Sequence, residues 1–198
     1  MVAAAAGRAR ERSTHDGRVA VRRLVKDVLL PVAVAIALAF VIQASVAKPY
    51  EIPTLSMYPT IKANDRIIAN RLIYKLRSIH RGDVIVFEPT ASGKSICTDT
   101  TSDVPFVKRV IGLPGDHVEV RPDHLTYVNG KPFVVKEALE PDYSKVWPVG
   151  PPGKLLVLGD NRAESCDSHQ WPDPFVPEDN VIGQAEITYW PLSHIRFF

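Results

Sequence analysis

The twenty residues Val28–Ala47, VLLPVAVAIALAFVIQASVA, carry no charged side chain. A run of that length and character matches the hydrocarbon thickness that one helix crosses. Pro31 falls in the first turn, where its missing N–H costs least. Gln43 and Ser45 fall near the far end, where an interface tolerates them. In front lies a basic tail, with Arg8, Arg10, Arg12, Arg18, Arg22, Arg23 and Lys26 against Glu11, Asp16 and Asp27. Positive charge ahead of an apolar span keeps that side in the cytoplasm. The expected organisation is a cytoplasmic tail over 1–27, a single-pass transmembrane anchor over 28–47 and an exported domain over 48–198. Two other readings of the run stand beside it. Ser45-Val46-Ala47 has the small residues of a processing site, which would make the run a cleaved signal peptide or a site of self-cleavage. A buried helix is the third reading, but it leaves the basic skirt without a reason.

The whole-chain averages conceal this division. Of 24 basic and 22 acidic side chains, 17 and 19 fall after residue 27, so the exported part is slightly acidic although the chain is +2. That balance gives no footprint for nucleic acid. A hydrophobic content of 45% and a charged content of 23% exclude a disordered or collagen-like chain. Two cysteines are too few for a disulfide-dense scaffold. The six histidines are scattered at 15, 80, 117, 124, 169 and 194, so neither a metal nor a cofactor is expected.

After residue 48 short apolar runs alternate with turns. The pattern predicts strands at 65–69, 83–87, 106–111, 117–121, 125–128, 154–158 and 181–189, with Asn129-Gly130 as a hairpin turn. Residues 90–105 read as a polar loop and 143–152 as a proline-rich surface excursion. A weak helical turn is expected only around 70–78. The exported part is therefore mostly β and, at about 150 residues, long enough for one core.

Three segments carry chemistry. Ser56 sits in Pro53-Thr54-Leu55-Ser56-Met57-Tyr58-Pro59-Thr60, where two prolines stiffen the loop around a hydroxyl. No G-x-S-x-G surrounds it, so a hydrolase elbow is not indicated. Lys108 lies in the strand Val107–Ile111. If Arg109 faces solvent, strand alternation turns Lys108 inward, and burial lowers the pKa of a lysine. A neutral amine could then take a proton from a serine hydroxyl. The third segment, Gly159-Asp160-Asn161-Arg162-Ala163-Glu164-Ser165-Cys166-Asp167-Ser168-His169, is a dense polar turn after an apolar strand. Each segment also has a plain structural reading: a turn serine, a snorkelling lysine, a solvated loop.

Together, PTLSMYPT (53–60), GDVIVF (82–87), VKRVIGLPGD (107–116) and GDNRAESCDSH (159–169), behind an apolar anchor, resemble the type I signal peptidases. These are membrane-bound Ser–Lys endopeptidases. LSMYPT and DSH-x-W look most like the cyanobacterial and thylakoid branch. The resemblance implies a signal-peptidase and repressor-protease-like domain of antiparallel sheets behind one N-terminal transmembrane helix. It implies Ser56 as nucleophile and Lys108 as general base, with the Ser56 N–H and the Thr54 hydroxyl as oxyanion donors. Ser165 would orient the lysine, and Asp160, Asn161 and Asp167 would brace the site. Where many bacterial members have arginine this chain has His169, so an Asp167–His169 contact is the most that can replace their salt bridge.

The implied substrates are signal-peptide-bearing preproteins cut after small residues, Ala-x-Ala, at a plasma or thylakoid membrane. The lipid bilayer and the export machinery are the other implied partners. Ile52, Ile85 and Val107 are candidate pocket walls. Leu55, Met57 and Tyr58 either dip into the bilayer or pack in the core, and Trp190 with Phe197-Phe198 suggests another apolar patch. Cys97 and Cys166 either pair as a disulfide, which an exported compartment permits, or Cys166 is a small buried residue. Three rivals remain. The first is a Ser56–His169–Asp167 triad. The second is a self-cleaving repressor, for which no DNA-binding domain is visible. The third is a membrane-anchored binding protein, which has no need of Ser56 and Lys108 together.

Overall fold

A computed structural model of the chain describes residues 25–97 and 104–198. The basic tail of 1–24 and the loop segment 98–103 lie outside the described residues. The chain divides into two units at Ser45/Val46, and each is described by itself.

In the first unit a five-residue π-helical segment, Val25–Leu29, runs directly into α1, Leu30–Val46. Nothing in α1 is charged, and Leu30, Val32, Val34, Ile36 and Leu38 are each about half exposed. Among the described residues no helix is long and apolar enough to cross a membrane. The twenty-residue apolar run is not one continuous α-helix, because its first residues belong to the π-helical segment and its last, Ala47, opens a strand.

The second unit is antiparallel β. Its strands are β1 Ala47–Glu51, β2 Arg66–Asn70, β3 Val84–Phe87, β4 Phe106–Gly112, β5 Val118–Val120 and β6 Thr126–Val128. They continue with β7 Lys131–Pro132, β8 Lys145–Val146, β9 Lys154–Leu158, β10 Phe175–Pro177, β11 Val181–Trp190 and β12 Arg196–Phe197. One sheet runs β1-β2-β11-β3-β4-β9-β10, with β12 on β11, and a smaller one runs β7-β6-β5-β8. The apolar runs give these strands because Val, Ile and Phe suit a pleated, covered surface. The centre of the large sheet is covered on both faces: all four residues of β3 are buried. Residues alternating along β3 and β4 consequently enter different apolar clusters. Val84, Val86 and Val107 join Ile52, Met57 and Ile61. Ile85, Phe87 and Val110 join Leu155, Val157 and Trp171. Ile111, Leu156 and Leu158 close a third cluster with the small sheet and Trp147.

Several expectations change. Residues 91–97 are a helix, α3, and not loop; its Gly93 leaves room for the Trp171 ring, 3.3 Å from where a Cβ would stand. The weak turn at 70–78 is the four-residue helix α2, Ile73–Leu76. The stretch 143–152 is not wholly a surface excursion, since Trp147 is buried and its Nε1–H donates to the Ser168 carbonyl at 3.0 Å. Ile85 is sealed in the core and walls no pocket. Of the loop apolars, Met57 is buried while Leu55 and Tyr58 are exposed. Trp190 and Phe197 are exposed as expected.

Candidate active site

Ser56 stands on a turn fixed from below. Met57 and Ile61 are fully buried on either side of Tyr58–Thr60, the Tyr58 N–H donates to the Leu55 carbonyl and the Ile61 N–H to the Met57 carbonyl. Burying two large side chains next to the serine stabilises this turn by a few kcal/mol, on the order of 1.5–3 each. The Tyr58–Pro59 bond is cis.

Lys108 enters from the middle of β4, paired with Ile85 of β3. It is 5% exposed, and its Nζ lies 2.6 Å from Ser56 Oγ. Burial pushes its ammonium down from 10.5 to about 8, while the negative charges of Asp167 and Asp160 pull it partly back. No carboxylate pairs with it directly among the described residues. Thr54 Oγ1 lies 3.2 Å from Ser56 Oγ on the other side.

The turn after β9 supplies the support. The Asn161 N–H donates to the Ser56 carbonyl at 3.1 Å, and its Nδ2–H donates to the Leu55 carbonyl at 3.2 Å. Asp160, fully buried, accepts two hydrogen bonds from Arg109 at 2.8 and 2.6 Å and one from the Thr60 hydroxyl. One carboxylate thus ties β4 to the chain just past Ser56. Asp167 accepts the Gly159 N–H at 2.7 Å and meets His169 Nδ1 at 2.9 Å. His169 stacks on Tyr143, centroids 4.4 Å apart. The buried Arg162 donates to the Gly159 carbonyl and the Thr126 hydroxyl. A Cβ at Gly159 would overlap Ser165 Oγ and the Ser56 carbonyl, so only glycine lets the turn approach so closely.

The structure therefore brings Thr54, Ser56, Lys108, Asp160, Asn161, Ser165 and Asp167 to one place. One expected contact is missing: Ser165 Oγ is buried without a hydrogen-bond partner, so the anticipated Ser165–Lys108 bond is not formed. In this arrangement Lys108 donates to Ser56 instead. Arg109 also departs from expectation. It does not face water; its side chain is 12% exposed and clamps Asp160. Alternation placed Lys108 correctly but assumed one wet face, and this part of the sheet has none. The Asp167–His169 contact is made, but the hydrogen-bond partners of Ser56 Oγ are Lys108 and Thr54, so no Ser–His–Asp triad is assembled.

Sequence reasoning missed Arg109, Thr60 and Arg162 as supports. The signal for Arg109 was its place between a buried lysine and an apolar run. The cysteines, left open by sequence, are joined: Cys97 at the end of α3 and Cys166 beside Ser165 form a disulfide with Cα atoms 5.8 Å apart. Beside these groups lies an apolar cleft of about 320 Å³, lined by Ile52, Ser56, Phe106, Val107 and Lys108, with the disulfide and Glu164 also on its wall. Ile52 and Val107 thus line it as expected. Among the described residues no cluster of histidine, cysteine and acidic groups could hold a metal ion.

A serine hydroxyl met by a buried amine and a second hydroxyl beside an apolar cleft is an arrangement able to carry acyl transfer on a peptide carbonyl. Comparison with known proteins agrees. The family model described as signal peptidase, peptidase S26, matches residues 25–190. Signal peptidase I of Leptolyngbya laminosa is 38% identical over 165 residues, which is 83% of this chain and 79% of that one. Signal peptidase I U of Bacillus subtilis is 34% identical, covering 88% of this chain and 92% of its own. The chloroplastic thylakoidal processing peptidase 1 of Arabidopsis thaliana is 35% identical over 81% of this chain and 47% of that one. The chain belongs to the signal peptidase family, peptidase S26, and within it to the type I enzymes, which are serine proteases.

Proposed function

We propose that this chain is a membrane-anchored endopeptidase that removes signal peptides from exported preproteins, with Ser56 as nucleophile and Lys108 as general base. The observation that carries the reading is the 2.6 Å contact between Ser56 Oγ and a buried lysine held near neutrality. In the proposed sequence the neutral Lys108 amine accepts the Ser56 proton as Oγ attacks the scissile carbonyl. The tetrahedral oxyanion is held by the Ser56 N–H and the Thr54 hydroxyl. Lys108 then hands the proton to the departing amine, leaving an ester on Ser56. Lys108 next deprotonates a water that attacks the ester. The acyl–Oγ bond breaks as Lys108 returns that proton to Ser56 Oγ, and the signal peptide leaves as an acid that ionises to the carboxylate in water. Asp160, Asn161 and Asp167 hold this arrangement through their hydrogen bonds, Ser165 packs beneath it against Gly159, and the steps need no metal or cofactor.

The apolar cleft beside Ser56 favours uncharged side chains in it, which suits the apolar residues of Ala-x-Ala ends. The charge-free run 28–47 behind a basic tail, with uncovered apolar side chains on α1, favours a retained single-pass anchor. It would leave 1–27 in the cytoplasm and 48–198 on the periplasmic or lumenal side of a plasma or thylakoid membrane. The bilayer, and with it the export machinery, would deliver the substrate. Self-cleavage after Ala47 is disfavoured because Ala47 is paired with Asn70 in β1 and the Val46 carbonyl accepts the Arg71 N–H. A protease needs its target unpaired.

The test incubates detergent-solubilised protein with a preprotein. The expected result is a product cut after a small residue, lost in Ser56→Ala and in Lys108→Ala by at least about a thousandfold, and largely kept in His169→Ala. Equal cleavage by wild type and Ser56→Ala would refute the reading. N-terminal sequencing of the mature protein is expected to find no start at Lys48.

A further inference from the structure

The cleft contains one feature that peptide-bond chemistry does not use. Among the described residues its wall is apolar except for the Tyr50 hydroxyl, the groups assigned to the reaction and two carboxylates, Glu51 and Glu164. Glu51 is partly answered by Arg66 at 3.5 Å across β1 and β2, with both side chains more than half exposed. Glu164 has no cationic partner among the described residues, yet it is held in place. Its Oε2 accepts the Asn161 Nδ2–H at 3.0 Å, and the same Nδ2 reaches the Leu55 carbonyl at the nucleophile turn. The Glu164 N–H closes the turn on the Asn161 carbonyl at 3.1 Å. Two residues further on, Cys166 is fixed by its disulfide to Cys97. A carboxylate is thereby presented on an exposed rim, linked through Asn161 to the turn that carries Ser56, with no cation among the described residues to meet it. Lys108, the positive charge on the cleft wall, is buried and loses its charge in the reactive form.

We propose that Glu164 is a specificity-determining residue that favours substrates with a basic side chain within two residues of the scissile bond. This rests on the peptidase reading above. A fixed anion at the mouth of an apolar cleft attracts a lysine or arginine whose aliphatic stem lies along apolar wall while its head stays in water. It repels aspartate or glutamate at the same place. Because the pair forms at an exposed rim, the discrimination is modest, about two- to fivefold in kcat/KM, and it weakens as salt shortens the Debye length.

The experiment uses detergent-solubilised full-length protein and synthetic peptides with an Ala-x-Ala end. Lys, Gln or Glu is placed in turn at the second position before the cut and at the first two after it. The Lys-to-Glu ratio of kcat/KM is read within each enzyme form, so a general loss of activity cancels. Wild type is expected to favour Lys about two- to fivefold over Glu at one or more of these positions, less so at 0.5 M salt than at 0.05 M. Glu164→Gln, which keeps an acceptor for Asn161, is expected to bring that ratio towards one, and Glu164→Lys to invert it. A wild-type ratio of one at every position, or a ratio unchanged in Glu164→Gln, would overturn the proposal alone. Failure of wild type to cut even the Gln peptides would overturn the peptidase reading and this one together.

Discussion

Lys108 and Arg109 are neighbours on β4, both cationic and both largely covered, yet the protein treats them in opposite ways. Arg109 lies against a fully buried Asp160 and grips it in a two-bond fork. Lys108, on the other face, meets a hydroxyl and has carboxylates only at a distance, so burial drags it towards neutrality. Burial with a counter-ion makes a structural clamp; burial without one leaves an amine that gives up its proton more readily, as the proposed base requires. Swapping the residues would fail on both faces, since an arginine does not deprotonate and a lysine cannot form the fork.

The most disruptive way to break this contrast is to strip Arg109 of its partner. Asp160→Asn leaves a covered guanidinium without a counter-charge, and chemical denaturation should find a loss of about 3–5 kcal/mol. Replacing both partners with apolar residues, as in Arg109→Met with Asp160→Leu, should recover much of that loss, because the desolvation cost disappears as well. A double mutant no more stable than Asp160→Asn would mean that the pair does more than satisfy itself.

A smaller effect, of opposite sign, is expected on the other face. The folded pKa of Lys108, about 8, lies below its unfolded value of 10.5, so the folded state binds fewer protons between those two pH values. The penalty is present in full below pH 8 and is relieved as pH rises from 8 to 10.5. Lys108→Met removes it, and denaturation at pH 7 should find a gain on the order of 2–3 kcal/mol in a protein without activity. The gain should shrink towards pH 10.5. A loss of stability at pH 7 would argue that the ammonium is well solvated or paired. The smallest expected effect is a shift of the activity profile. Wherever Asp160→Asn remains folded, removing a negative charge that raises the Lys108 pKa should move the activity limb to lower pH.

Much of this was legible before the fold. Alternation located β2, β3, β4, β9 and β11 to within a residue or so, because these are apolar runs bounded by turns. Resemblance located Ser56, Lys108 and the turn at 159–169. What escaped depended on tertiary partners. The helix at 91–97, ASGKSIC, has weak intrinsic propensity; it is held by the Cys97 disulfide and by Trp171, whose Nε1–H donates to Cys97 Sγ at 3.0 Å. Arg109 was read as wet because period-two patterns assume one open face, and Asp160 lies 51 residues away. Ile85 looked like a pocket wall because its neighbours in sequence gave no sign that it enters the Trp171 cluster.

The pH dependence of kcat/KM tests the central contrast most directly, because in the free enzyme it reports the groups whose protonation matters. With an uncharged Ala-x-Ala peptide, activity should rise about tenfold per pH unit up to a limb near 8, the Lys108 value, and the limb should stay in place in His169→Ala. A limb near 6.5, the ordinary histidine value, that vanishes in His169→Ala would contradict the account and return catalysis to the histidine.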